Sequence, residues 1–351
     1  MEEAQRVKRT LSFSQPNEDI DPLIEELMDR AGGVQHRGLV REMILAALKA
    51  GQESRSLLDL KLMNTTLKEM RFTAKIFGPY RHKRKVTVFG SARTGPHEPM
   101  YVMAREFGQA LAASGFMVIT GGGPGIMQAA NEGAGPEHSF GVNIRLPFEQ
   151  TMNPVVHQTP RSITYKYFFN RKVAFLKEAD GVALFPGGFG TMDEAMETLT
   201  LLQTGKHNPV PLVFLEAPEG TYWVRFIQFL KDELLSRGLI SPSDFHLFRR
   251  IPSVKGAVNE IRRFYRRYHS LRYTRDGLIL RLSQPLPSGA EDDLRRDFQD
   301  ILRPGGTIRL GPPLEEEKDE PDCAGLSHLY VDFHRRDFGR LRQFIDAVND
   351  A

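Results

Sequence analysis

Between Leu184 and Met196 the sequence reads LFPGGFGTMDEAM, where Gly187, Gly188, Gly190 and Thr191 follow a hydrophobic run and the acids Asp193 and Glu194 come next. Glycine lets main-chain N–H groups approach an anion with no Cβ in the way, and the N-terminus of a following helix adds a favourable dipole. Phosphate is the natural guest. Glu194 has two readings. Thr191 through Glu194 spell T-x-x-E, a capping box in which threonine caps a helix and glutamate reaches back to it. The alternative is a carboxylate placed to react, and the helix N-terminus predicts that it is ionised. A second cluster, VITGGGPGIMQAANEGA from Val118 to Ala134, sets Gly121, Gly122, Gly123 and Gly125 behind another apolar run. It is no P-loop, lacking GxxxxGK(S/T), and the first strand ends in FGSARTG where a dinucleotide fingerprint would have GxGxxG.

Two glycine turns at strand ends need a sheet whose strands all point one way. From Lys85 short apolar runs (KVTVFG, GFMVITGGG, FGVNIRL, GVALFPGG, PVPLVFLE) alternate with helical patterns such as TYKYFFNRKVAFLKEAD, a helix from Thr191 and one through Trp223. That alternation predicts an α/β fold: a Rossmann-like parallel sheet flanked by helices over residues 81–270, with ligands beyond the carboxyl ends of its strands. Residues 1–80, where Leu60, Met63, Leu67 and Met70 recur at helical spacing, read as an N-terminal helical arm. Residues 271–351 read as β-α-β-β-α, a small C-terminal α+β module with an acidic run at 315–322. Regulation, oligomerisation and packing all suit it.

Composition narrows the partners. A net charge of +3 over 351 residues does not by itself indicate nucleic-acid binding. The clusters RHKRK at 81–85 and RRFYRRY at 262–268 could meet nucleic acid or an anionic effector, but read better as solvated faces. The single cysteine, Cys323, rules out an intramolecular disulfide and suits a reducing cytoplasm. The N-terminus has no apolar stretch of signal-peptide type, and the longest uncharged stretch, Phe107 to Asn131, carries six glycines and a proline, so no membrane span is expected. The histidines stand singly, without HExxH or another ligand pair, so neither a metal nor a cofactor is expected.

PGGFGTMDE resembles the PGGxGTxxE motif of the LOG ("lonely guy") family of nucleoside 5′-monophosphate phosphoribohydrolases, often misnamed lysine decarboxylases. FNRKVAFLKEADGVALFPGG is similar to the same family's Arg-Lys helix, its Ala-Asp turn and the motif strand, with Arg171 and Glu194 23 positions apart. VFGSA and TGGGPGIMQAANEGA look like its other two ligand loops, so the resemblance covers residues 85–215. Two departures stand out: Asn170 replaces an acid common before the Arg-Lys pair, and FGSARTG replaces a double-serine loop. The arm and the last 80 or so residues resemble a larger bacterial branch.

The resemblance implies a catalytic pair, Arg171 and Glu194, and a phosphate turn of Gly187, Gly188, Gly190 and Thr191. It also implies substrate contacts at Gly121, Gly122, Gly123 and Gly125, with Ser91 and Arg93 from the first loop. Glu197, three residues beyond Glu194 on a similar helix face, is either a ribose contact or a surface residue. Lys172 reads as a helix-face or dimer residue, not a Schiff-base lysine. The implied reaction is hydrolysis of the N-glycosidic bond of an AMP-like monophosphate to free base and ribose 5-phosphate, with Glu194 near the sugar carbon that acquires oxocarbenium character. Arg171 could clamp phosphate or ribose, or assist the leaving base. The alternative is a non-catalytic nucleotide or pterin-type carrier or sensor. Single-stranded DNA binding lacks its basic and aromatic stripe. A homodimer or higher homo-oligomer is expected, because YKYFFNRKVAFL carries aromatics on more faces than one side of a sheet can cover.

Overall fold

The computed structural model describes residues 13, 17–147, 151–275, 277–314, 317 and 320–351, so residues 315, 316, 318 and 319 of the acidic run and the N-terminal residues 1–12 lie outside it. Two compact units divide after Lys68. In the first, α1 (Asp21–Ala31) and α2 (Arg37–Glu53) bury Ile24, Met28 and Leu45. Arg41 ties them together with a two-pronged bond to Asp21 at 2.7 and 2.8 Å. Helix α3 (Leu57–Phe77) runs across the division and ends in the second unit, burying Ile76 and Phe77 there.

The second unit holds two sheets. The larger has seven parallel strands: β1 (Lys85–Phe89), β2 (Met117–Thr120), β3 (Ser139–Ile144), β4 (Ser162–Tyr165), β5 (Gly181–Leu184), β6 (Leu212–Leu215) and β7 (Phe248–Ile251), in the order β4-β3-β2-β1-β5-β6-β7. Val86, Val118, Val182 and the whole of β6 are wholly buried, as expected of strands covered on both faces. Helices α4 (Pro99–Ala113), α5 (Ile126–Ala134) and α9 (Val254–Phe264) pack on one face. The end of α3, α6 (Phe168–Lys177), α7 (Phe189–Gln203) and α8 (Tyr222–Phe229) pack on the other. Between β1 and β5 the strand order reverses, and an open α/β sheet has its ligand crevice at such a point, outside the carboxyl ends of the strands.

The smaller sheet is antiparallel, β10-β11-β9-β8, from β8 (Tyr268–Tyr273), β9 (Leu278–Leu282), β10 (Ile308–Gly311) and β11 (Ser327–Val331). With α10 (Ala290–Asp297) and α11 (Phe338–Asp350) it encloses its own apolar core. The sequence pattern differs from the structure at three strands, one of them β7, whose FRRI carries no apolar run. TYKYFFNRKVAFLKEAD is not helical throughout: Ser162–Tyr165 pairs with β3 as an edge strand before α6 begins at Phe168. And β8 forms out of the end of the basic run RRFYRRY, paired with β9 through Tyr268, Leu271 and Tyr273.

Candidate active site

The chain leaves β5 through Phe185 and Pro186 and turns into α7 at Gly188, an extended N-cap with φ −87° and ψ −158°. Helix α7 therefore starts at Phe189, three residues earlier than a T-x-x-E box capped by Thr191 would place it, and the capping box does not form: the N-cap has no side-chain bond. Met192 N–H is the first to bond back, to Gly188 O at 3.1 Å, so the N–H groups of Phe189, Gly190 and Thr191 make up an open first turn. Gly187 is sterically required, since a Cβ there would stand 2.1 Å from Thr191 Oγ1 and 2.9 Å from Ser91 N. At Gly188 and Gly190 a Cβ would meet open space. Ser91 laces the three loops together: its N–H donates to Pro186 O at 3.1 Å, and its carbonyl accepts from Ile126 N–H at 3.0 Å. The second cluster reaches this close only because Gly125 sits at φ +67°, where a Cβ would be 2.3 Å from Ser91 O.

These turns bound a cleft of about 740 Å³ whose walls include Ser91, Arg93, Phe168, Arg171, Gly187, Gly188, Phe189, Gly190, Thr191 and Glu194. Arg171 enters from the first turn of α6, its Cζ 5.0 Å from the Phe175 ring centroid and its Nη2 where a Cβ on Gly121 would be only 2.6 Å away. Glu194 comes from α7 and is 7% exposed. Among the described residues, Arg171 Nε and Glu194 Oε2 are buried with no hydrogen-bond partner, and no ion pair joins the two side chains. Burial pushes the Glu194 carboxyl up to about 7, opposed by Arg171 and Lys172 and assisted by Glu197 and Asp193. The sequence-based expectation of a plainly ionised glutamate at the helix N-terminus is thus corrected, because desolvation outweighs the dipole. Burial also lowers Arg171, while the charge of Glu194 and the Tyr165 hydroxyl oppose that shift. A guanidinium nitrogen and a carboxyl oxygen shut off from water without partners are costly to a fold, and the cleft that both side chains line is where a ligand would recover that cost.

The remaining sequence candidates are distributed unevenly. Arg93 lies on the cleft rim with its N–H on Ser91 Oγ at 3.0 Å. Gly121, Gly122, Gly123 and Gly125 are not among its lining residues, although Gly121 and Gly125 let their loop approach Arg171 and Ser91 closely. Asn153 pins two of them, its N–H on Gly122 O at 2.7 Å and its Nδ2 on Gly123 O at 3.1 Å. Glu197 is also outside the cleft and pairs with Lys172 at 2.6 Å, beside Asp193 at 2.7 Å. Asn170, in the place of an acid, donates from Nδ2 to Glu69 Oε2 at 2.6 Å, so α3 supplies the carboxylate that this position lacks. Tyr222 is a lining residue that spacing did not reveal: its hydroxyl donates to Gly187 O at 2.7 Å. Buried Glu216, at the end of β6, holds it by accepting from Tyr222 N–H at 2.9 Å and from Arg250 Nε at 2.8 Å. The only sequence signal was an acid just past a strand, in LEAPEGTYW. Among the described residues, no group of three or more His, Cys, Asp or Glu is placed to hold a metal, and no helix is long and apolar enough to cross a membrane.

The chain has relatives. A family model described as "Possible lysine decarboxylase" matches residues 113–261. The cytokinin riboside 5′-monophosphate phosphoribohydrolase LOG1 of Arabidopsis thaliana is 26% identical over 193 residues, 54% of this chain and 87% of the relative. A probable enzyme of the same description from Oryza sativa subsp. japonica, LOGL9, is 28% identical over 52% of this chain and 78% of its own length. Among solved structures, the molybdenum cofactor binding protein of Rippkaea orientalis is 22% identical over 51% of this chain and 96% of its own, with a TM-score of 0.34, a likeness that carries no functional argument.

Proposed function

This chain belongs to the LOG family, and from that premise we propose that it hydrolyses the N-glycosidic bond of a nucleoside 5′-monophosphate, releasing the base and ribose 5-phosphate. The observation that carries the reading is the pair Arg171 and Glu194, with Nε and Oε2 buried and unpartnered, facing one cleft with the open first turn of α7. The phosphate docks on the N–H groups of that turn. The bond from the sugar carbon to the base nitrogen breaks, a water oxygen bonds to that carbon and keeps one proton as the new sugar hydroxyl, and the other proton ends on the departing base. Glu194, with its carboxyl near neutrality, stabilises the oxocarbenium charge as carboxylate and can accept the water proton. Arg171 either clamps the phosphate or ribose, or assists the base as it leaves. With one cysteine in the sequence, the chain suits a reducing compartment such as the cytoplasm.

Purified protein incubated with a panel of ribonucleoside and deoxyribonucleoside monophosphates should release free base, and the matching nucleosides should be poor substrates, because the glycine turn contributes binding only through phosphate. Chromatography of the released base reads this directly. Equal cleavage of both classes would sink the phosphate turn, and tight monophosphate binding with no release would make the chain a nucleotide carrier.

The same reading includes a second copy of the chain. Phe168 is 55% exposed and Phe189 97%, apolar side chains at the starts of α6 and α7 that line the cleft. A homo-oligomer buries such a patch. Light scattering should therefore show at least a dimer, and a monomer at micromolar concentration would count against it.

A further inference from the structure

A second cavity, about 620 Å³, lies at the amino ends of the inner strands of the parallel sheet, opposite the cleft. Arg84, Asp180 and Val210 line it just before β1, β5 and β6 begin, and Tyr265, Tyr268 and His269 close it from the side of the smaller sheet. Its charged lining is mainly cationic: Arg84, Lys172, Lys177 and Lys206 against the carboxylates Asp180 and Glu197. Three of those cations are already engaged, Lys172 with Asp193 and Glu197, Lys177 with Glu178, and Arg84 loosely with Asp180 at 3.3 Å. Arg84 is also fixed in direction, its Cζ 3.6 Å from the Tyr265 ring centroid. Among the described residues, Lys206 Nζ, the Tyr268 hydroxyl and His269 Nε2 have no partner, although His269 Nδ1 is bonded to Ser270 Oγ at 3.0 Å. Burial raises the Tyr268 hydroxyl, which is therefore held protonated as a donor.

The unspent Lys206 and Tyr268 donors beside surplus positive charge are what a phosphate group needs, and the two carboxylates leave acceptors for hydroxyl or amino groups on the rest of a small molecule. The groove also touches the machinery of the cleft. Helix α6 presents Arg171 to the cleft and Leu176 and Lys177 to the groove, while α7 presents Glu194 to the one and Glu197 and Leu201 to the other.

We propose that this groove is a second ligand site, for a small phosphate-bearing anion distinct from the substrate, whose occupation is transmitted to Arg171 and Glu194 through α6 and α7. The transmission, but not the binding, rests on the hydrolase reading of the cleft. A ligand that draws on Lys177 or Lys206 loosens or tightens the packing of two helices that have one end in each site, and it can shift turnover only by its differential affinity for their two arrangements.

The test uses inorganic pyrophosphate as probe on the full chain. At constant ionic strength, pyrophosphate should shield Lys206 from an acylating reagent, read by mass spectrometry, at concentrations where sulfate does not. In calorimetric titration, the groove's affinity should fall by about tenfold or more in Lys206→Glu and, separately, in Lys177→Glu. Both side chains are exposed, and circular dichroism checks that each variant is folded. Unshielded Lys206, or the same affinity in all three proteins, would overturn the site. Pyrophosphate should further change monophosphate turnover by about fivefold or more in the wild type and not in Lys206→Glu. An identical change in both would place its action in the cleft and overturn the transmission. If the chain cleaves no nucleotide at all, the shielding and calorimetry still decide the site.

Discussion

Glu194→Gln is expected to lower the single-turnover rate on a nucleoside monophosphate by about two or more powers of ten, the scale of losing a preorganised electrostatic contact in the transition state. Monophosphate binding should survive, because the backbone of Gly187 to Thr191 is left in place. A helix-capping role cannot mask the effect, since α7 starts at Phe189 and its N-cap uses no side chain. The carboxyl stands near pH 7 and acts as carboxylate, so the wild-type rate should rise with pH through the neutral range and level off above it. The Gln variant should lack that rise.

Stability should move the other way. The folded carboxyl is raised from 4.5 to about 7, so the native state holds the proton more tightly than the unfolded chain. The stability this provides is complete below about pH 4.5 and is lost as pH rises through 7, by up to about 3 kcal/mol. Glutamine does not titrate. Urea unfolding at pH 5 and pH 8 should show wild type weakening toward pH 8 and the variant holding steady. Asp193→Asn is the internal control: its carboxylate is half-exposed, it pairs with Lys172, and Glu197 remains as that lysine's second partner. A fully active, folded Glu194→Gln protein would end the catalytic reading of this residue.

The parts of this molecule that can be read from sequence are those whose physics is local. Lys85–Phe89, Met117–Thr120 and Leu212–Leu215 announce themselves because a strand buried on both faces must be apolar throughout. Phe248–Ile251 does not: FRRI places two arginines in the last strand of the larger sheet, where part of the backbone meets solvent and the apolar requirement lapses. Ser162–Tyr165 is the other edge of that sheet, and its aromatic continuation into α6 gave it a helical pattern. The glycine turn is legible because a close approach demands glycine wherever it occurs, as at Gly187. Tyr222 is not, because its partner is a backbone carbonyl 35 residues away, which no spacing rule encodes. Nor is the ionisation of Glu194, which is set by everything that excludes water from around it.

Arg171 puts that last point to its hardest test. Its Nε is buried and unpartnered in a half-buried guanidinium, which the fold must sustain without an internal ion pair. Arg171→Met keeps the volume and removes the charge. If the arginine serves the ligand, the variant should be more stable than wild type by about 1 kcal/mol or more, since replacing a buried charge by an apolar side chain of similar size commonly stabilises. Its turnover should fall by about a hundredfold or more, with weaker monophosphate binding if Arg171 clamps the phosphate. Arg171→Lys should not restore activity, because a single ammonium cannot reproduce the planar fork of donors. A second readout ties the pair together. Arg171 is the chief influence holding the Glu194 carboxyl down against desolvation, so without it that carboxyl must titrate above about 7. The residual activity of Arg171→Met should then reach its plateau at a higher pH than wild type. A variant that unfolds more readily, keeps its turnover and leaves the pH midpoint unmoved would make Arg171 a packing residue and break the pair.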